Sequence, residues 1–134
     1  MEWSEDVRGA AEGPQETEGV IAHVVLFEPK SGATVAERDM FLNVIHVAVS
    51  EIATVRRSFV GLRQKVGAAY EQTIGDSAYS YASVVEFDDV AGLKVYLEHP
   101  LHVKVGQLFW QYCERTMILD VDCFWVNDKK FTNG

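Results

Sequence analysis

Basic residues, proline, cysteine and long apolar runs are all scarce in this chain. Twelve Lys and Arg stand against twenty Asp and Glu over 134 residues, a formal charge of −8. No basic stripe is available to neutralise a phosphate backbone, which argues against nucleic-acid binding. No apolar run is long enough to span a bilayer. The start of the chain places Glu2, Glu5 and Asp6 where a secretory signal needs a basic region, and no apolar block follows. The expectation is a soluble, cytoplasmic protein without a membrane partner. The two cysteines, Cys113 and Cys123, lack metal-ligand spacing and read as buried thiols in a reducing compartment.

What is present sorts into a leader, one domain and a tail. The first 19 residues hold six acids against Arg8 alone, five of the eight net negative charges. Residues 1–18 therefore read as a disordered acidic leader. Residues 19–126 read as one domain and residues 127–134 as a polar tail. Hydrophobic content of 48% over this length suffices for a single core.

Periodicity sets the element order. Val20 to Phe27 is apolar at odd and even positions, with His23 as its polar member, so it reads as a strand covered on both faces. A helix over residues 35–52 starts at Thr34, with Glu37 completing a capping box, and carries Phe41, Ile45, Val49 and Ile52 on its core stripe. His46 lies at the edge of that stripe and reads as solvent or interface. Strands follow at 55–62 and 79–87, separated by a loop over 63–78, a length that often lies over a binding site. Asp88 or Asp89 caps the next helix, with Val90, Leu93 and Leu97 on its core side. It breaks at His99-Pro100 and resumes to about Cys113. A last strand runs from Thr116 to Trp125, with Leu119, Val121, Cys123 and Trp125 on the buried side and Asp120 and Asp122 on the wetter one. The order β-α-β-β-α-β predicts an α+β, ferredoxin-like subunit with a four-stranded antiparallel sheet. Helices cover one sheet face only, and the other is also apolar. A second copy of the same sheet would cover it, which predicts a homodimer closing into a barrel around an internal cavity.

The most informative segment is Tyr96-Leu97-Glu98-His99-Pro100-Leu101-His102-Val103. Two of the four histidines lie here, three residues apart, around a proline. Proline suits the first helical position and pushes the preceding residue out of the α region. His99 therefore falls at the N-cap and His102 at the third helical position. The positive end of the helix dipole disfavours imidazolium there, and a neutral imidazole at a helix mouth is a candidate general base. Polar residues also gather at helix starts for backbone reasons alone, and a surface or interface role satisfies the same residues.

That motif, behind Ile21-Ala22-His23-Val24-Val25-Leu26-Phe27, Ala36-Glu37-Arg38-Asp39-Met40-Phe41-Leu42 and Val84-Val85-Glu86-Phe87, resembles the stress-response dimeric α/β barrel (Dabb) family over about residues 20–125. The resemblance implies a ferredoxin-like subunit and a homodimer whose sheets form a dimeric α/β barrel. Many members have no assigned reaction, so one expectation is a dimer that binds a small hydrophobic ligand in or beside the barrel. The alternative is an enzyme of cyclase or lyase type. A plant polyketide cyclase of the family closes a linear tetraketide thioester by an aldol-type condensation. By position its catalytic histidine matches His102, its partner tyrosine matches Tyr96, and its first-strand histidine matches His23. Aldol closure needs a base beside a carbonyl and a donor for the oxyanion. The resemblance thus implies His102 as base, Tyr96 as donor, and His23 pointing into the cavity between the sheets to orient substrate. Two pocket positions differ, with Tyr81 in place of a histidine and Ile45 in place of a tyrosine. His99 joins these as a ligand-binding candidate. No cofactor is expected, apart from the magnesium that some plant members hold through backbone carbonyls, at positions matching Val49, Ile52 and Val55. A haem monooxygenase of the related barrel families would want a ligating histidine in the second helix.

Overall fold

The structure, a computed structural model, describes residues 19–75 and 78–124. The acidic leader, the polar tail and Trp125 lie outside the described residues. The elements are β1 (Ile21–Pro29), α1 (Val35–Glu51), β2 (Arg57–Leu62), α2 (Glu71–Ile74), β3 (Tyr81–Phe87), α3 (Val90–Glu98), α4 (Pro100–Tyr112) and β4 (Cys113–Asp122). The four strands form one antiparallel sheet in the order β2-β3-β1-β4. Two βαβ units interlock in this order, as the ferredoxin-like pattern requires.

Local chemistry explains most boundaries. Thr34 starts α1 by accepting the Glu37 amide at 3.0 Å, and the Glu37 carboxylate accepts the Thr34 amide at 2.9 Å. Asp89, rather than Asp88, caps α3 by accepting the Gly92 amide at 2.8 Å. The core side of α3 is Leu93 and Tyr96, while Val90 is exposed. On α1 the buried residues are Phe41, Ile45 and Ala48, with Val49 at the margin. The segment after β2 contains α2, where the Glu71 carboxylate accepts the amides of Val66 and Gly67 at 2.6 and 3.0 Å. β4 starts at Cys113, directly after α4, because the chain turns extended there and the last helical carbonyl, Tyr112, accepts the Lys30 amide at 2.7 Å.

The core lies between the sheet and α1, α3 and α4. Phe27, Phe41 and Phe109 meet edge to face, with centroids 4.9–5.6 Å apart, the arrangement that aromatic quadrupoles favour. Residues paired across neighbouring strands share a face. His23, Val25 and Phe27 thus point to the helices with Ser83, Val85, Ile118 and Asp120. The opposite face carries Val24, Leu26, Val84, Phe59, Met117, Leu119 and Val121. No helix among the described residues covers it, and Phe59 and Leu119 are 61% and 54% exposed. The sides of β4 are therefore the reverse of the sequence expectation: Leu119 and Val121 lie on the open face, and Asp120 lies on the helix side, where its exposed carboxylate meets His23.

Candidate functional site

The break between α3 and α4 builds the site. Pro100 opens α4 and has no N–H, so α3 must stop before it. His99 fills the gap as N-cap, its Nδ1 accepting the Leu101 amide at 3.0 Å. The interruption leaves the last carbonyls of α3 without intrahelical donors. One of them, Leu97, accepts a hydrogen bond from His102 Nδ1 at 3.2 Å. The same break that positions His102 also orients its ring. One turn before the break, Tyr96 is 3% exposed and packs on Phe87 with centroids 5.1 Å apart.

His23 reaches this point from the middle of β1. Its Nδ1 donates to Asp120 Oδ1 at 2.6 Å across the β1–β4 ladder. The three rings converge: Tyr96 to His102 4.6 Å, His23 to Tyr96 5.8 Å, and His23 to His102 6.1 Å between centroids. They line one cavity of about 500 Å³, a size that suits a small organic molecule. Val25, Ile45, Val105 and Phe109 form apolar walls, and Trp110 and Ile118 stand where it opens. The cavity lies between the helices and the sheet within one subunit. His23 therefore does not point into a chamber between two sheets, as the sequence reading had it.

Protonation follows from these contacts. A carbonyl can only accept, so His102 Nδ1 carries the proton and Nε2 is bare in the neutral ring. Burial, foremost, holds the His102 pKa below the ordinary histidine value, with nearby His23 lowering it further and the Leu97 contact opposing them. Burial thus dominates where the sequence argument invoked the helix dipole. Burial also pushes the Tyr96 phenol up to about 12, so it stays a protonated donor. Nothing among the described residues hydrogen-bonds the Tyr96 hydroxyl or the Nε2 atoms of His23 and His102. A candidate base and a candidate donor, neither with a partner among the described residues, thus share an apolar cavity.

Four of the sequence candidates, His23, Tyr96, His102 and Ile45, line this cavity. Tyr81 does not; it stacks on Phe27 at 5.2 Å and borders a separate cleft near Lys30 and Arg38. His99 is spent on its capping role. No described residue of the 63–78 segment lines the cavity. Sequence reasoning missed Asp120, whose partnership with His23 exists only through strand register, and Trp110, whose place at the rim depends on how α4 lies on the sheet. The carbonyls of Val49, Ile52 and Val55 belong to the turn that closes α1. Ile52 accepts the Val55 amide at 3.1 Å, which leaves a second lone pair, and helix C-termini favour cations. Their chemistry fits a hard divalent ion. No cluster of His, Cys, Asp and Glu suited to a metal occurs among the described residues.

The chain belongs to the stress responsive A/B barrel domain (Dabb) family, whose model matches residues 21–123. Solved structures of similar fold include a dimeric ferredoxin-like protein from Bacteroides fragilis, 25% identical, covering 78% of this chain and 96% of that one with a TM-score of 0.56. A Dabb family protein from Mesorhizobium loti is 24% identical over 78% of this chain and 96% of its own, with a TM-score of 0.61. The hydroxynitrile lyase of Passiflora edulis is 17% identical over 78% and 93% of the respective chains, with a TM-score of 0.67. No curated protein matches the chain. No helix among the described residues is long and apolar enough to cross a membrane.

Proposed function

We propose that the protein is a homodimer that takes a small, largely apolar carbonyl compound into the helix–sheet cavity. There it performs cofactor-independent acid–base chemistry of aldol or lyase type. One observation carries the reading: His102, with a bare Nε2, and Tyr96, a neutral phenol without a hydrogen-bond partner among the described residues, lie 4.6 Å apart by ring centroid in an apolar cavity.

The chemistry follows from those two states. His102 Nε2 takes a proton from the carbon beside a carbonyl, or from a hydroxyl in the lyase direction. Negative charge moves to the carbonyl oxygen in the first case, and Tyr96 donates its hydrogen bond to that oxygen. The carbanion equivalent then attacks a second carbonyl. In the lyase direction the alkoxide expels a carbon leaving group as the carbonyl forms. The proton on His102 returns to the product or the leaving group. Asp120 fixes the tautomer of His23, whose bare Nε2 is left to accept a hydrogen bond from a substrate hydroxyl. The Passiflora edulis neighbour is named a lyase, which supports that direction.

Dimerisation accounts for the bare sheet face. The exposed Phe59, Met117, Leu119 and Val121 form the kind of apolar patch that lone subunits rarely show. Its occupant here is a second copy of the sheet, and the Bacteroides fragilis neighbour is described as dimeric. A magnesium ion held by the carbonyls of Val49, Ile52 and Val55 would pin the turn after α1. Free Cys113 and Cys123 suit a reducing compartment such as the cytoplasm.

The second reading is binding without turnover, favoured by the apolar walls. Deuterium exchange beside the carbonyl of small ketones, followed by NMR in D2O, separates the two. We expect exchange by wild type and a loss of about 10²–10⁴-fold in His102→Ala. Ketones that bind wild type and His102→Ala alike, with no exchange by either, would leave only the binding reading.

A further inference from the structure

We propose that α4 is a length ruler for the ligand, with His102 at one end and Trp110 at the other; this rests on the cavity reading above. His102, Gly106 and Trp110 all line the cavity, and they follow one another at helical i, i+4, i+8 spacing. At 1.5 Å per residue the two ends lie about 12 Å apart along the helix. Gly106, midway, has open space where a Cβ would stand, so the groove beside it is unobstructed.

Trp110 is 88% exposed, although indoles are on average among the well-buried side chains. Helical side chains lean over the preceding turn, and the preceding turn here carries Gly106, which has none. The indole therefore borders bare backbone at the rim of the cavity, with a broad face left for a second ring. The inner end offers no cation: His102 is neutral, and Arg115 is engaged at the rim by the Ala78 carbonyl and Glu114. A carboxylate or phosphate head has no partner there, whereas a neutral carbonyl meets the Tyr96 hydroxyl. The ligand class is an elongated neutral amphiphile, with its carbonyl at His102 and a flat aromatic end on Trp110.

Calorimetry with three methyl ketones tests this. One carries a 2-naphthyl ring beside the carbonyl. The second carries it beyond about six methylene groups, enough to cover the distance of about 12 Å. The third is an alkyl ketone of the same length without a ring. Wild type is expected to bind the long naphthyl ketone about tenfold more tightly than the alkyl one, the contribution of ring stacking. Trp110→Ala removes that preference and leaves the alkyl ketone's affinity unchanged. Gly106→Phe, at an open helical position, loses both long ketones and keeps the short one. A preference that survives Trp110→Ala, or long ketones that still bind Gly106→Phe, overturns the ruler while leaving the cavity reading intact. Failure of wild type to bind any of the three overturns both.

Discussion

The two faces of one sheet carry opposite chemistry. The face under the helices holds His23, Ser83 and Asp120 among its residues, and Tyr96 and His102 descend onto it. The face without helices is apolar over its middle, from Phe59 and Val84 to Leu119, with the Arg57–Glu86 pair and Glu28 and Arg115 toward its ends. The first face also carries the core residues Val25, Phe27, Val85 and Phe87, so its few polar groups lie among apolar neighbours. The difference between the faces has a physical reason. Polar groups sheltered from water gain strength and hold unusual protonation states, which suits reactivity. Bare apolar surface gains by association, which suits assembly. The comparison teaches that this subunit encloses its candidate site and leaves a largely apolar sheet face open.

The largest expected effect tests the reactive side. Tyr96→Phe should lower turnover about 10²–10³-fold, the usual loss for one oxyanion donor. Its stability should hold or rise by about 1 kcal/mol, because a buried hydroxyl without a partner among the described residues is removed. Thermal unfolding alongside the exchange assay reads both. A large drop in melting temperature would mean that the hydroxyl has a structural role.

A change on the other face should leave that chemistry alone. Leu119→Lys places a charge on the open sheet face, twice per dimer by symmetry. It should weaken association about 100-fold by sedimentation velocity, because each copy must bury an unpaired ammonium. If exchange activity collapses while association is unaffected, the two faces are not separable.

Asp120→Asn should cost about tenfold in turnover by freeing the His23 tautomer, read as a change in kcat with the dimer unaltered. An unchanged kcat would limit the Asp120 contact to the fold.

The mildest effect is on pH. His102 has its pKa lowered in the folded state, so the folded chain resists a proton that the unfolded chain accepts below about 6.5. Its contribution to stability is present above that value and is lost as pH falls through the folded pKa. Turnover should fall over the same acid window, and the profile should sit below the ordinary histidine range. Replacement by His102→Gln should flatten the stability profile there.

Much of the fold was legible in residue patterns. The capping box at Thr34 and Glu37, the proline break at Pro100, and the N-cap role of His99 follow from local backbone chemistry, which neighbours in sequence decide. The alternation in β4 was legible too, but which side faced inward was not. Leu119 and Asp120 differ by one residue, and strand register decides which of them lies on the helix side. The same register creates the His23–Asp120 contact across 97 positions of sequence. Tyr96 illustrates the middle case: its motif marked it, but the sequence assigned the core side of α3 to Val90, Leu93 and Leu97, and packing kept Leu93, left Leu97 at the margin and buried Tyr96 in place of Val90.

By itself, then, the sequence determined the order of the elements, the place where the second helix had to break, and the presence of a histidine three positions into the new helix. Those rest on φ restriction, capping and hydrophobic period, which act over a few residues. Tertiary structure alone decided that the cavity lies between helices and sheet, that Tyr96 and His102 meet side by side in its lining, and that Trp110 stands at its rim. Those depend on strand register and on the pose of α4 over β1 and β4, which only the packed chain can set.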